Sequence, residues 1–361
     1  MTKRISIKTA ILLSFIILII VLQLALSSSS SFQHYYLYSI FPPLQIARNY
    51  ILNFVNMSVG DIFYLILIFS LLFILGRFLF FAFTYKRNKK RFIKTLFYLL
   101  LLPLLLYFSF LILWGGNYYR KAVHDNWPLQ TQKWDKEDLL KWNLYLVEKL
   151  NELYAQQKNT PQLTFNNINE LSNQLYQKQF PDISLASLKV KKSSLGRFLN
   201  YMGVHGYYNP FSGEAQINHH LPLYMHPFVM AHEMAHQAGV AKEDDANLIA
   251  YIICIKSEDL HFKYSGYFNL YLYASSNLKQ KDPELFEETR EKLSPNVIKD
   301  IKDLRKIYKR YRGIIKDYSN YLYDEYLIWQ GQEMGLDTYN EVVQQAYYWE
   351  YIQHQNIQPS L

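Results

Sequence analysis

The segment Phe228-Val229-Met230-Ala231-His232-Glu233-Met234-Ala235-His236-Gln237-Ala238-Gly239 sets two histidines four positions apart around a glutamate. On an α-helix, residues at i and i+4 lie on one face a turn apart, so both imidazoles reach one cation. Glu233 follows the first histidine and stands beside the ligands rather than among them. It is therefore placed to take a proton from water at the metal and hand it to a leaving amine. The neighbours Val229, Met230, Met234 and Ala235 are apolar. In such surroundings two histidines and a carboxylate are costly unless a cation satisfies them.

His-Glu-x-x-His is the arrangement of zinc peptidases, and zinc in such a site takes a third protein ligand and leaves a fourth position for water. Gly239 is a natural helix stop, and Lys242-Glu243-Asp244-Asp245-Ala246-Asn247 begins a second helix with acids in its first turn. Three carboxylates compete there. Glu243 shares a face with Ala246, Asn247 and Ala250, small or polar residues that let the second helix approach the first. Asp244 and Asp245 align instead with Leu248 and with Ile249 or Ile252. Glu243 is the preferred ligand, and Asn247, one turn on, is placed to hydrogen-bond a ligand histidine. Tyr251 and His261 are candidate oxyanion donors by proximity in sequence alone. His219, His220 and His226 have no ligand spacing and read as solvated or structural. The single cysteine, Cys254, excludes an intramolecular disulfide and a thiolate cluster, and reads as a small buried hydrophobe.

The elements that must position these groups are mostly helical. An amphipathic run begins after Asp135 with Leu139, Leu140, Trp142, Leu146 and Leu150, and another covers Ile168 to Tyr176. Between Ser187 and Asn218, β-type residues, several glycines and the turn Asn209-Pro210-Phe211-Ser212-Gly213 predict a small sheet or hairpin. Helices then return to the end. Tyr308, Tyr311, Tyr318, Tyr321, Tyr323 and Tyr326 are expected to pack helix faces. The simplest organisation is one α+β, mostly helical domain over residues 116–361.

Of 361 residues half are hydrophobic, and they concentrate at the N-terminus. Three stretches, Ala10–Leu26, Ile62–Phe83 and Phe92–Trp114, are apolar enough to cross a bilayer. The first also has features of a secretory signal, with Lys3, Arg4 and Lys8 before it, but its length favours an uncleaved helix. The basic segment Tyr85-Lys86-Arg87-Asn88-Lys89-Lys90-Arg91 joins the second and third spans. By the positive-inside rule that segment and the N-terminus stay in the cytoplasm, which sends everything after Trp114 to the outer side. This placement accounts for much of the +8 net charge, so no nucleic-acid partner is expected. Phe41-Pro42-Pro43 opens a helical pattern of Leu44, Ala47, Ile51, Phe54 and Val55, which fits a helix on the membrane surface or one packed on the spans.

His232-Glu233-x-x-His236 followed by Glu243-x-x-Ala246-Asn247 resembles the gluzincin clan of metallopeptidases. The wider pattern is similar to an uncharacterised bacterial family of membrane-anchored gluzincins, known only as a domain of unknown function. Its marks here are Gly60-Asp61-Ile62, Trp114-Gly115, Asn117-Tyr118, Gly206-Tyr207-Tyr208-Asn209-Pro210-Phe211-Ser212-Gly213-Glu214-Ala215 and the zinc motifs. The resemblance implies a zincin-like fold and one Zn²⁺ per chain on His232, His236 and Glu243. It also implies that Tyr207 to Asn218 stands where such enzymes have an edge strand. The expectation is a multi-pass protein of the bacterial cytoplasmic membrane whose outer domain hydrolyses peptide bonds in exported peptides or envelope proteins, with Glu233 as general base. The alternatives are a non-catalytic zinc-binding membrane sensor or binding protein, and a zinc amidase acting on cell-wall peptide.

Overall fold

The computed structural model describes residues 6–126, 135–182, 185, 187–329 and 339–355. It is mostly helical and divides into two compact units, one formed by Met1–Arg120 with Asn209–Glu214 and the other by Lys121–Tyr208 with Ala215–Leu361.

In the first unit α1 (Ile7–Ser28) starts at Ser6, whose hydroxyl accepts the Thr9 N–H. The short α2 (Ser30–Tyr35) runs through a π turn into α3 (Phe41–Leu52), which has proline in its first turn, where a missing N–H costs nothing. Next come α4 (Val59–Phe83) and α5 (Tyr85–Leu113). Helices α1, α4 and α5 are long and apolar enough to span a bilayer. Their outward side chains are apolar, with Ile66, Phe69 and Phe73 among the exposed ones. This is a membrane protein. Only Thr84 separates α4 from α5, and the basic segment 85–91 that joins the spans is itself helical. Lys and Arg are good helix formers, and the chain bends at Asn88, whose amide donates to Thr84 Oγ1 at 3.1 Å. Helix α1 packs along α5, and its Gln23 donates to the Tyr119 hydroxyl at 2.9 Å and accepts from the Tyr107 hydroxyl at 3.3 Å. Buried polar groups inside a bundle need such partners.

Helix α3 inverts the usual pattern. Gln45 and Asn49 are buried, while Ile51 and the following Phe54 are 68% and 87% exposed. The inward polar face grips residues 209–214. Gln45 Nε2 donates to the Gly213 carbonyl and Arg48 to the Pro210 carbonyl, both at 2.7 Å. The Glu214 carboxylate accepts the Gly60 N–H at 2.6 Å and the Val59 N–H at 3.3 Å, capping α4. Phe211 stacks on Phe63 with centroids 4.8 Å apart.

The second unit contains α6 (Lys136–Gln157), α7 (Phe165–Gln179), β1 (Val190–Lys192), α8 (Gly196–Met202), β2 (Gly206–Asn209), β3 (Glu214–Ile217), α9 (His226–Gln237), α10 (Glu243–Lys256), α11 (Leu260–Lys281), α12 (Pro283–Glu291), α13 (Pro295–Arg310), α14 (Ile314–Trp329) and α15 (Tyr339–Gln355). Reciprocal capping boxes, Asp135 with Asp138 and Thr164 with Asn167, start α6 and α7. At the centre lies α10, buried from Glu243 to Cys254 and packed by α9, α11, α15 and α7. From Leu248 to Cys254 every side of the helix is covered by apolar side chains or the Tyr251 ring, as a core position requires. The small sheet has the order β1-β3-β2, with β1 parallel to β3 in the register Val190 to Ala215. Asn169 of α7 bonds both the N–H and the carbonyl of Val190, and Gln237 of α9 accepts the Lys189 N–H, so β1 is tied to two helices and β2 forms the other edge.

The tyrosines of the C-terminal helices depart from expectation. Tyr308 and Tyr311 are partly covered, but Tyr318 and Tyr321 are 62% and 58% exposed. The side chains of Tyr323 and Tyr326 lie outside the described residues.

Candidate metal centre

Helix α9 carries His232, Glu233 and His236, and the way it ends prepares the second histidine. Gly239 takes a left-handed conformation, φ +90°, that a side chain would resist. The reversed chain closes with Ala238 N–H on Met234 O and Val240 N–H on Ala235 O. The same reversal brings the Val240 carbonyl to His236 Nδ1 at 2.7 Å. A carbonyl only accepts, so Nδ1 carries the proton and, in the neutral ring, Nε2 offers a lone pair. After Lys242 the chain re-enters a helix, and Glu243 is the first residue of α10.

These ends bring His232 Nε2, His236 Nε2 and the Glu243 carboxylate to one point. The two Nε2 atoms are 3.1 Å apart, His232 Nε2 lies 3.3 Å from Glu243 Oε2, and His236 Nε2 lies 3.4 Å from Oε1. Ligands about 2.0–2.1 Å from a tetrahedral zinc stand roughly 3.3 Å from each other. With one donor atom from each residue the three lie within 4.8 Å of one another, a grouping compatible with a metal ion. The competing acids are engaged elsewhere: Asp244 Oδ2 accepts from Gln345 at 3.4 Å, and Asp245 Oδ1 accepts the Val123 N–H at 2.8 Å. Asn247 is buried beside His232 and favours its protonated form.

Burial disfavours every charge here. It depresses His232 despite the support of Glu243 and Asn247. At His236 the adjacent Glu243 carboxylate outweighs burial and raises the ring to about 9. Glu243 is likewise drawn well below the usual carboxylate range, because His236 and His232 overcome its own desolvation. A divalent cation held by His232, His236 and Glu243 would displace such protons and take over the compensation of Glu243.

Glu233 lies next to the ligands, 3% exposed, and burial pushes it up to about 8. Its Oε2 has no hydrogen-bond partner among the described residues. On its other side is β2: a Cβ on Gly206 would stand 2.6 Å from Glu233 Oε1 and 2.8 Å from the Gln216 carbonyl. Only glycine allows the strand this close. The preceding residue, His205, shares a 2.7 Å hydrogen bond with the Tyr308 hydroxyl, and the two rings lie parallel. Burial, then Lys316 and His232, hold His205 down to about 4, so the ring is neutral and lies within electrostatic reach of the cluster. Lys316 sits over the Tyr308 ring at 4.9 Å.

The pair His205 and Tyr308 escapes sequence reading, because 103 positions separate its members. Only the glycine that follows His205 hints at a close approach. The two oxyanion candidates are employed otherwise: Tyr251 donates to Glu350 Oε1 at 2.9 Å, and His261 Nε2 bonds Thr160 and the Pro161 carbonyl. The rings of His219 and His220 touch at a tilt of 37°, and His226 Nε2 bonds the Leu221 carbonyl, which is a structural use. Cys254 is fully buried.

A family model described as a protein of unknown function (DUF3810) matches residues 36–347, most of the chain, and the protein belongs to that family. The match takes in α4, α5 and the His232-His236-Glu243 cluster together. No curated protein and no solved structure matches.

Proposed function

We propose that this member of the family is a membrane-anchored zinc metallopeptidase, with α9, α10 and the small sheet as a zincin-like core. The observation that carries the reading is the convergence of His232 Nε2, His236 Nε2 and the Glu243 carboxylate within 3.1–3.4 Å, with the buried Glu233 beside them. Zinc held there supplies Lewis acidity to a scissile carbonyl and acidifies water. Glu233 takes the proton from the attacking water at its carboxylate and returns it to the leaving amine. Burial disfavours the ionised form of Glu233, which suits a group that must both accept and return a proton. A peptide in extended form lies along β2, fixed by backbone pairing and brought over Glu233 by the close approach at Gly206. His205 and Tyr308 offer polar atoms at the head of that strand to orient the carbonyl. The basic residues of α5 and the N-terminus face the cytoplasm, which exports the second unit and makes exported peptides or envelope proteins the substrates.

The test uses the purified full chain in detergent. About one zinc per chain, lost in His232→Ala and in His236→Ala, is expected, together with cleavage of a peptide library that a chelator stops. Glu233→Gln is expected to keep its zinc and lose roughly 10²–10⁴-fold in rate. Zinc-free wild type after metal is supplied at neutral pH, or a fully active Glu233→Gln with zinc bound, overturns the assignment.

A further inference from the structure

The C-terminal helices carry a surface that the metal centre does not use. On α14, Ile314, Ile315, Tyr318, Tyr321 and Leu322 are 86%, 54%, 62%, 58% and 50% exposed. They fall at i, i+1, i+4, i+7 and i+8, a single stripe along the helix. The opposite side of α14 faces the protein, where Lys316 covers the Tyr308 ring and reaches Gly203 at the end of α8. Helix α8 packs against α14 and exposes two more aromatics, Phe198 at 52% and Tyr201 at 46%. Folding alone does not account for this much apolar and aromatic surface turned outward.

Charge selects the occupant. Within residues 302–312, just before the stripe, Lys302, Arg305, Lys306, Lys309, Arg310 and Arg312 are exposed against one acid, Asp303, which pairs with Lys306 at 2.8 Å; α14 itself adds the exposed acids Asp317 and Glu325. Tyrosine and isoleucine beside a dense cationic rim is the composition of helices that lie in a lipid headgroup layer. A bilayer is also always at hand, because the same chain carries three helices able to span one, and tethering holds the surface near it at high effective concentration. A soluble protein partner has neither advantage.

We propose that the α14 stripe, with Phe198 and Tyr201 of α8, is a second and peripheral membrane contact that docks on an anionic lipid surface through the basic segment 302–312. The contact is independent of the metal reading. It places Lys316, and through it Tyr308 and His205, under the influence of the lipid surface.

The chain's single cysteine is buried, so one engineered thiol labels cleanly. Full-length Ile315→Cys and Tyr318→Cys carry a nitroxide in nanodiscs of phosphatidylcholine with or without phosphatidylglycerol, with Glu288→Cys on the exposed face of α12 as reference. In anionic discs the two α14 labels are expected to shift from nickel-chelate access toward oxygen access while the reference label does not. The shift is expected to vanish in pure phosphatidylcholine and when Lys306, Lys309, Arg310 and Arg312 are changed to Gln. Nickel-chelate access at both α14 sites in anionic discs overturns the proposal. Protection that is the same in detergent overturns it in favour of a cover within the chain, and protection that grows with the number of copies per disc overturns it in favour of a second copy.

Discussion

At the scale of single residues the centre depends on how closely groups approach. Gly206 is the sharpest case, because a methyl group there meets both Glu233 and the Gln216 backbone, and backbone does not yield cheaply. Gly206→Ala is expected to lower peptide cleavage by at least about tenfold, roughly 1.4 kcal/mol in the barrier, while zinc content stays at the wild-type level; unchanged kcat/KM refutes the role given to this contact. His205 makes a second prediction, in stability. The folded ring is held down to about 4, whereas the unfolded residue titrates near 6.5. Between those values the unfolded chain holds the additional proton, so acidification from about pH 6.5 toward about pH 4 costs stability. His205→Asn is expected to soften that loss, which thermal melts in one detergent across the window will read. Of the cluster, His232, His236 and Glu243 with the neighbouring Glu233 were legible in the sequence, because helical spacing groups them without reference to the rest of the chain, whereas His205 was not. Tyr308 was not, since it reaches His205 only through the packing of α13. Tyr251 misled for the same reason: nearness in sequence did not reveal that Glu350 takes its hydroxyl.

At the scale of elements, the two ligand helices are joined by a turn whose geometry is part of the site. Gly239 holds φ +90° and sends Val240 back to receive His236 Nδ1–H. Gly239→Ala forces a side chain into the left-handed region at a cost of about 1–2 kcal/mol and disturbs the hydrogen bond that fixes the ring. Loss of such support lowers metal affinity by about 10–100-fold. A competition titration with a chromogenic chelator will measure this, and an unchanged affinity separates the turn from the centre. Sequence signals located this stop because glycine acts locally. They failed on α14, where aromatic spacing was taken for packing of helix faces, because periodicity reveals which residues share a face but not what that face meets.

At the scale of the whole molecule, one hairpin has residues in both units. Its strand β2 abuts Glu233 at Gly206, while its tip, residues 209–214, belongs to the unit that contains the membrane helices. The tip is bound there by Gln45, Arg48, the stacked Phe63 and the capping of α4 by Glu214. The family match, which runs across α4, α5 and the cluster, covers both ends of this hairpin. On the proposed reading, the contacts of residues 209–214 within the first unit bear on β2, the strand that runs beside Glu233 at Gly206. Glu214→Ala removes the acceptor of the Gly60 and Val59 N–H groups, charge-assisted bonds whose loss costs about 1.5–3 kcal/mol. In the full chain it is expected to lower the thermal midpoint and kcat/KM together while zinc remains bound, since the ligands of α9 and α10 are untouched. A chain beginning at Lys121 loses all four tip contacts at once and is expected to be less active than Glu214→Ala at equal zinc content. If that shortened chain binds zinc and cleaves peptides as fast as the full protein, the tip contacts matter only for anchoring, and the position of β2 is set within the second unit alone.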